Sequence, residues 1–178
     1  MTPKVTFVLG GAASGKSVWA EKYALSLARN PIYLATAQPL DSEMKQKIEI
    51  HKKRREKNWQ TIEEPFGISN ILEKTPSQKT ILIDCITIWL SNILSFGKPT
   101  DNEMDILLKS INKFRGNLIL VSNEVGQGII PKNKLARDFT MAQGLLNQRI
   151  ANKADRVILV SAGLPLAIKG VLPGSNYG

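Results

Sequence analysis

Gly10, Gly11, Ala12, Ala13, Ser14, Gly15, Lys16 and Ser17 form the segment whose residue types and spacing point most directly to chemistry. The pattern G-x-x-x-x-G-K-[ST] follows an apolar run over 5–9 and precedes a stretch with helical spacing. Glycines at these places let backbone N–H groups turn inward around phosphate oxygens, and the following helix points its positive end at the same spot. Lys16 then reaches the outer phosphates as a catalytic candidate, and Ser17 becomes a candidate ligand of Mg²⁺. The expected ligand is a nucleoside triphosphate, against the plainer reading of a glycine-rich turn.

Three other features could carry chemistry. Asp84 closes the apolar run 81–83, as the second metal-holding element of a P-loop enzyme does, although a carboxylate there also suits a cap for the helix that follows. His51 is the only histidine, and it sits in a stretch with seven cations between Lys45 and Lys57. Neutral imidazole is a competent nucleophile towards phosphorus, and surrounding cations disfavour its protonated form while attracting a triphosphate. On a helix, Met44, Ile48 and His51 share one face, so the ring could point inward along an apolar strip. A structural or surface histidine is the competing reading. The segment Asn123-Glu124-Val125-Gly126-Gln127-Gly128-Ile129-Ile130-Pro131 is either a structured loop at a ligand rim or an ordinary strand-to-helix turn.

These groups need a scaffold, and 178 residues at 43% hydrophobic suffice for one well-buried core, so a single nucleotide-binding domain over 1–178 is expected. No apolar run is long enough to cross a bilayer, and the first residues enter a strand pattern without a signal-like segment. The expected location is cytoplasmic. A lone cysteine, Cys85, excludes an intramolecular disulfide and reads as a buried thiol rather than a nucleophile. The net charge of +9 raises a nucleic-acid-binding ATPase as an alternative, but 6% aromatic residues leave little for base stacking, and no nucleic-acid partner is expected. A GTPase switch is disfavoured because Asn133-Lys134-Leu135-Ala136 lacks the aspartate that would read guanine.

Short apolar runs recur at 5–9, 32–35, 81–83, 118–121 and 157–160, and segments with helical spacing fall at 18–29, 42–57, 86–94, 103–114 and 135–152. Uninterrupted runs suit strands covered on both faces. The alternation predicts an α/β fold: a mostly parallel sheet flanked by helices, in the RecA-like P-loop NTPase architecture. Thr100-Asp101-Asn102-Glu103 reads as a capping box opening the fourth helix. Ligands of such sheets bind beyond the carboxyl ends of the strands, where 10–17, 36–38, Asp84, 122–124 and 161–163 fall.

At this level of detail the chain resembles the bifunctional adenosylcobinamide kinase/adenosylcobinamide-phosphate guanylyltransferase family of cobalamin biosynthesis. The resemblance is carried by the glycine loop, Ala35-Thr36-Ala37-Gln38, Asp41-Ser42-Glu43-Met44, Lys47-Ile48-Glu49-Ile50-His51 with Arg55, and Trp59-Gln60-Thr61-Ile62-Glu63. Further along, Asp84-Cys85-Ile86-Thr87-Ile88-Trp89-Leu90-Ser91-Asn92, the Asn123 segment, Leu135-Ala136-Arg137-Asp138-Phe139 and Asn147-Gln148-Arg149 extend it over nearly the whole chain. It implies phosphorylation of the corrinoid's aminopropanol hydroxyl from ATP or GTP, then transfer of GMP from GTP through a guanylylated histidine, here His51. It also implies nucleotide contacts from Gly10 to Ser17, from Ala35, Thr36 and Ala37, from Lys52, Lys53, Arg54 and Arg55, and from Glu63 and Asp84. Ser17 and Asp84 would hold Mg²⁺, the partner would be the corrinoid substrate, and the assembly would be a homotrimer. The chain departs from the family at Ala13, where a basic residue is common, and at Arg55-Glu56, where Arg-Pro is common. A P-loop kinase of another small alcohol, with His51 merely structural, is the alternative.

Overall fold

The computed structural model describes residues 4–54 and 58–174, with the side chains of Glu43, Lys47, His51 and Arg54 outside the described set. Arg55, named above as a nucleotide contact, also lies outside the described residues. Among the described residues, seven strands and six helices follow in the order β1 (Val5–Gly10), α1 (Lys16–Leu27), β2 (Ile32–Ala35), α2 (Ser42–Arg54), β3 (Gln60–Glu63), α3 (Ile68–Lys74), β4 (Thr80–Asp84), α4 (Ile86–Ser95), α5 (Thr100–Lys113), β5 (Asn117–Asn123), α6 (Lys134–Lys153), β6 (Arg156–Ser161) and β7 (Leu164–Lys169). They form one sheet in the spatial order β3-β2-β4-β5-β1-β6-β7. The neighbours from β3 through β6 pair in parallel, and β7 runs antiparallel to β6 at the edge.

Successive strand side chains point to opposite faces, and both faces are buried here. Phe7, Ile81, Ile83, Leu118 and Leu120 pack with Trp89 and Leu90 of α4, Leu107 of α5 and Leu146 of α6. Their strand neighbours Val8, Leu82, Ile119 and Val121 pack with Trp19, Ala20, Tyr23 and Ala24 of α1. This two-sided cover explains the unbroken apolar runs, and it is the α/β arrangement the alternation predicts. At the ends, the Asp155 carboxylate accepts from the backbone N–H groups of Lys4 and Val5, at 3.0 and 2.9 Å, tying the entry of β1 to that of β6. Buried Arg156 donates to the Tyr23 hydroxyl at 2.7 Å, pinning α1 to β6.

Three elements escape the periodicity reading. β3 is an edge strand with Gln60, Thr61 and Glu63 exposed, so it has no apolar run. β7 exposes Leu164, Leu166 and Ile168 and contains Pro165, tolerable at an edge because an edge strand has N–H positions that need no partner. α3 spans only two turns. The capping box over Thr100–Glu103 is corrected by the structure: α5 begins at Thr100, its N-cap is Pro99 and no side chain caps it. Pro99 already holds the extended N-cap conformation, so Thr100 becomes the first helical residue and Glu103 instead lies 3.8 Å from Lys98 Nζ. Asp101 and Glu103 still favour the first turn through the helix dipole.

Candidate active site

Everything of interest converges at the carboxyl ends of the central strands. β1 delivers the glycine loop, β4 delivers Asp84, and β5 passes between them, with Gly10 opposite Asn123 and Asp84 opposite Val121. A cleft of about 670 Å³ opens there, lined by Ala12, Ala13, Ser14, Gly15, Lys16 and Ser17, by Ala35 and Ala37, and by Asp84. Tyr33, Val18, Met44, Ile48, Cys85, Ile88 and Asn123 complete the lining. A smaller hollow of about 360 Å³ around Asp105, Lys109 and Arg149 contains none of the phosphate-loop residues.

The loop's shape follows from close backbone approach. A Cβ on Gly10 would lie 2.4 Å from Ser14 Oγ and 2.5 Å from the Val160 carbonyl oxygen, so no larger residue fits. Gly15 caps α1 at φ 91°, a left-handed conformation that glycine adopts without strain. The β6–β7 hairpin braces the loop from outside: its two turn residues, Ala162 and Gly163, both have positive φ, and Gly163 N–H donates to the Ser14 carbonyl at 2.8 Å. Lys16 and Ser17 are the first helical residues, two positions earlier than the apolar spacing suggests, which places both at the dipole's positive end.

Lys16 is 9% exposed and its Nζ donates to the Gly11 carbonyl at 3.0 Å. Burial pulls its ammonium pKa below the ordinary lysine value, opposed by the nearby carboxylate of Asp84. Asp84 accepts a hydrogen bond from the Tyr33 hydroxyl at 2.9 Å on Oδ2. Ser17 and Asp84 supply hard oxygen donors in one cleft. Among the described residues no cluster of three His, Cys, Asp or Glu side chains could cage a metal. That donor set fits Mg²⁺, which keeps several waters and completes its octahedron with phosphate oxygens. Cys85 is a buried thiol pushed up to about 12, first by burial and then by Asp84, so it stays protonated and is no nucleophile.

The other expected contacts divide. Ala35 and Ala37 line the cleft, whereas Thr36 is fully buried behind it. Its hydroxyl donates to the Cys85 carbonyl at 2.7 Å and accepts from the Cys85 N–H at 2.9 Å, which ties β2 to the turn after Asp84. Lys52 and Glu63 do not line the cleft but meet each other, with Nζ to carboxylate at 2.8 Å on an exposed surface. Lys53 is exposed. α2 is opened by Asp41, whose carboxylate accepts from Met44 N–H at 2.7 Å. Met44 and Ile48 are its half-buried residues at the cleft, while the side chain of His51, the expected nucleophile further along α2, lies outside the described set.

Tyr33 is not a site residue in the sequence reading. Tyr33 sits inside a four-residue apolar strand and looks like core. Asn123 opens the segment read as either a rim loop or an ordinary strand-to-helix turn, and it lines the cleft.

A family model described as cobinamide kinase / cobinamide phosphate guanyltransferase matches residues 6–168. The bifunctional adenosylcobalamin biosynthesis protein CobP of Pseudomonas aeruginosa is 40% identical over 166 residues, covering 92% of this chain and 96% of that protein. The corresponding CobU of Salmonella typhimurium is 36% identical over 179 residues, covering 91% and 98%. A solved protein of Pyrococcus horikoshii OT3 shares the fold at TM-score 0.55 and 10% identity, over 95% of this chain and 87% of that one. With a P-loop cleft at the head of its parallel sheet and a family match across nearly its whole length, the chain belongs to the cobinamide kinase / cobinamide phosphate guanyltransferase family, enzymes of cobalamin biosynthesis.

Proposed function

We propose that this one cleft, in a single P-loop domain spanning 1–178, performs both reactions, with Lys16, Ser17 and Asp84 serving each and His51 serving only the second. The observation that supports the reading is a single cleft lined both by the phosphate loop and Asp84 and by Met44 and Ile48 of α2, the helix whose sequence includes His51.

In the kinase step the corrinoid alcohol oxygen bonds the terminal phosphorus of ATP or GTP. The bond to the β–γ bridging oxygen breaks, its electron pair leaves with the diphosphate, and the hydroxyl proton passes to solvent. Lys16 and the inward N–H groups of the loop offset the charge that gathers on the phosphates. Mg²⁺, held by Ser17 and Asp84, would add positive charge at the phosphate oxygens.

In the second step a neutral His51 imidazole nitrogen attacks the α-phosphorus of GTP, and pyrophosphate departs with the α–β bridging oxygen. The phosphate of cobinamide phosphate then attacks that phosphorus, the P–N bond breaks, and His51 returns uncharged. Splitting the transfer this way replaces one hard displacement by two easier ones. Lys52 and Lys53 on the same helix, with Arg54 and Arg55 beyond them, add a cationic field that attracts the triphosphate. A homotrimer in the cytoplasm completes the proposal, and sedimentation of the purified protein tests the assembly.

The decisive experiment uses GTP labelled at the α-phosphorus. His51→Ala is expected to lose all acid-labile label while still phosphorylating adenosylcobinamide. Label that persists on the variant refutes the role of His51. A wild-type protein that phosphorylates an alcohol but never gains GMP mass is a kinase alone.

A further inference from the structure

We propose that Asn123 is a further catalytic residue of the kinase step, its carboxamide N–H₂ donating a hydrogen bond to the terminal phosphate of the bound triphosphate. The inference rests on the nucleotide reading of the cleft given above.

Position comes first. β5 lies between the strand that ends in the phosphate loop and the strand that ends in Asp84. Asp84 is opposite Val121, so Asn123 reaches two residues further along its strand into the cleft it helps line. Ser17 and Asp84 would hold the Mg²⁺ that offsets phosphate charge, and a triphosphate cradled by the loop would extend its outer phosphates along the strand ends, where Asn123 also lines the cleft.

Rigidity comes second. Asn123 N–H donates to Thr87 Oγ1 at 2.8 Å, its carbonyl accepts from Asn147 Nδ2 at 3.1 Å, and the next N–H, of Glu124, donates to the Gly10 carbonyl at 3.0 Å. Behind it, Ser122 donates to Asn147 Oδ1 at 2.8 Å, and Gln143 Nε2 donates to both Ser122 Oγ and Asn147 Oδ1 at 3.0 and 2.8 Å. Thr87, Ser122, Gln143 and Asn147 are all buried. A buried polar network of this kind fixes one geometry, at the cost of stability if any member is left unpaired.

The side chain itself is the third observation. Asn123 lines the cleft, and its donor, Nδ2, makes no hydrogen bond among the described residues; Oδ1 is buried without a partner among them and, being an acceptor, takes no part in the contact with phosphate. Backbone held on three sides beneath a carboxamide that the fold does not use is the pattern of a group kept for a ligand. A carboxamide cannot serve as the base. It donates to a non-bridging oxygen and transfers no proton, while the bond changes at phosphorus are those given above. In the guanylyl transfer the bond that breaks is one phosphate away, so the same contact matters less there.

The test compares the wild type with Asn123→Ala and Asn123→Asp. Equilibrium affinity is measured for a non-hydrolysable GTP analogue and for GDP, alongside kinase turnover, α-label uptake and thermal unfolding. Asn123→Asp places a carboxylate against the terminal phosphate, so GTP-analogue affinity is expected to fall at least about tenfold while GDP affinity moves less than about threefold. Asn123→Ala is expected to lower kinase turnover about 10²-fold and α-label uptake only a few-fold. Its unfolding temperature should be unchanged or raised, because no hydrogen bond of the side chain is lost. Equal losses for GTP analogue and GDP, or full kinase turnover in Asn123→Ala, overturn the assignment. If the selective loss for the triphosphate appears but the wild type never phosphorylates adenosylcobinamide, the contact stands and the proposed function fails.

Discussion

The strand side of the cleft and its helix side are built on opposite terms. On the strand side, Thr36, Thr87, Ser122, Gln143 and Asn147 are buried and hydrogen-bonded around the ends of β2, β4 and β5, and the β6–β7 turn braces the loop. On the helix side, α2 exposes every described side chain except Met44 and Ile48. The groups proposed to hold phosphate sit where burial sets their positions. The group proposed to receive and release a nucleotide sits on a mostly solvated helix. Preorganised donors stabilise developing charge without rearrangement, whereas a covalent carrier must be approached by two different substrates in turn.

That contrast breaks if damage to the strand side spares either reaction. Lys16→Ala and Asp84→Asn are expected to lower both kinase turnover and guanylylation on the order of 10²–10³-fold, measured by separate assays of the two steps. Loss of only one activity would show that the walls do not divide the work in this way. Gly10→Val is expected to weaken nucleotide binding about tenfold or more, since even its Cβ would overlap Ser14 Oγ and the Val160 carbonyl. Calorimetric titration with GTP reads this loss directly.

A gentler test uses pH. Because burial lowers the Lys16 pKa, its charge is lost below the pH at which a free lysine titrates. Nucleotide affinity should therefore decline as pH rises through that alkaline window, and Lys16→Arg should flatten the decline because arginine does not titrate there. The free protein shows the opposite trend. Its unfolded state holds the Lys16 proton more tightly, so this group's contribution to stability grows as pH rises through the same window. The smallest effect is on the helix side: Lys52→Met removes one side of an exposed pair with Glu63 and is expected to change stability by less than about 1 kcal/mol, read by denaturant unfolding. Its effect on guanylylation, if larger than that on kinase turnover, sharpens the division between the walls.

Much of this is legible in the amino-acid sequence. The loop from Gly10 to Ser17 is local chemistry: each glycine and the lysine act at fixed offsets along one turn, so spacing suffices. The strand runs were visible because both faces are buried, and Asp84 was visible because it interrupts such a run. β3, β7 and α3 were not, since edge strands mix exposed polar and apolar residues and a short helix barely repeats its period. The mistaken capping box shows the same limit at one residue's scale, where Pro99 outcompeted Thr100 for the N-cap. Thr36 was chosen by likeness as a nucleotide contact, but its hydroxyl is committed to the Cys85 backbone.

The amino-acid order alone showed a phosphate-loop pattern after one apolar run, a carboxylate closing another, and the one histidine inside a cationic stretch. Each of these is set by neighbours within a turn or two of chain. Which strand separates the cradle from the carboxylate, that Tyr33 donates to Asp84 from 51 positions away, and that Asn123 stands clamped at the cleft were decided only by the folded sheet. Strand order follows from how all the apolar faces are covered at once, a global condition that no local spacing records.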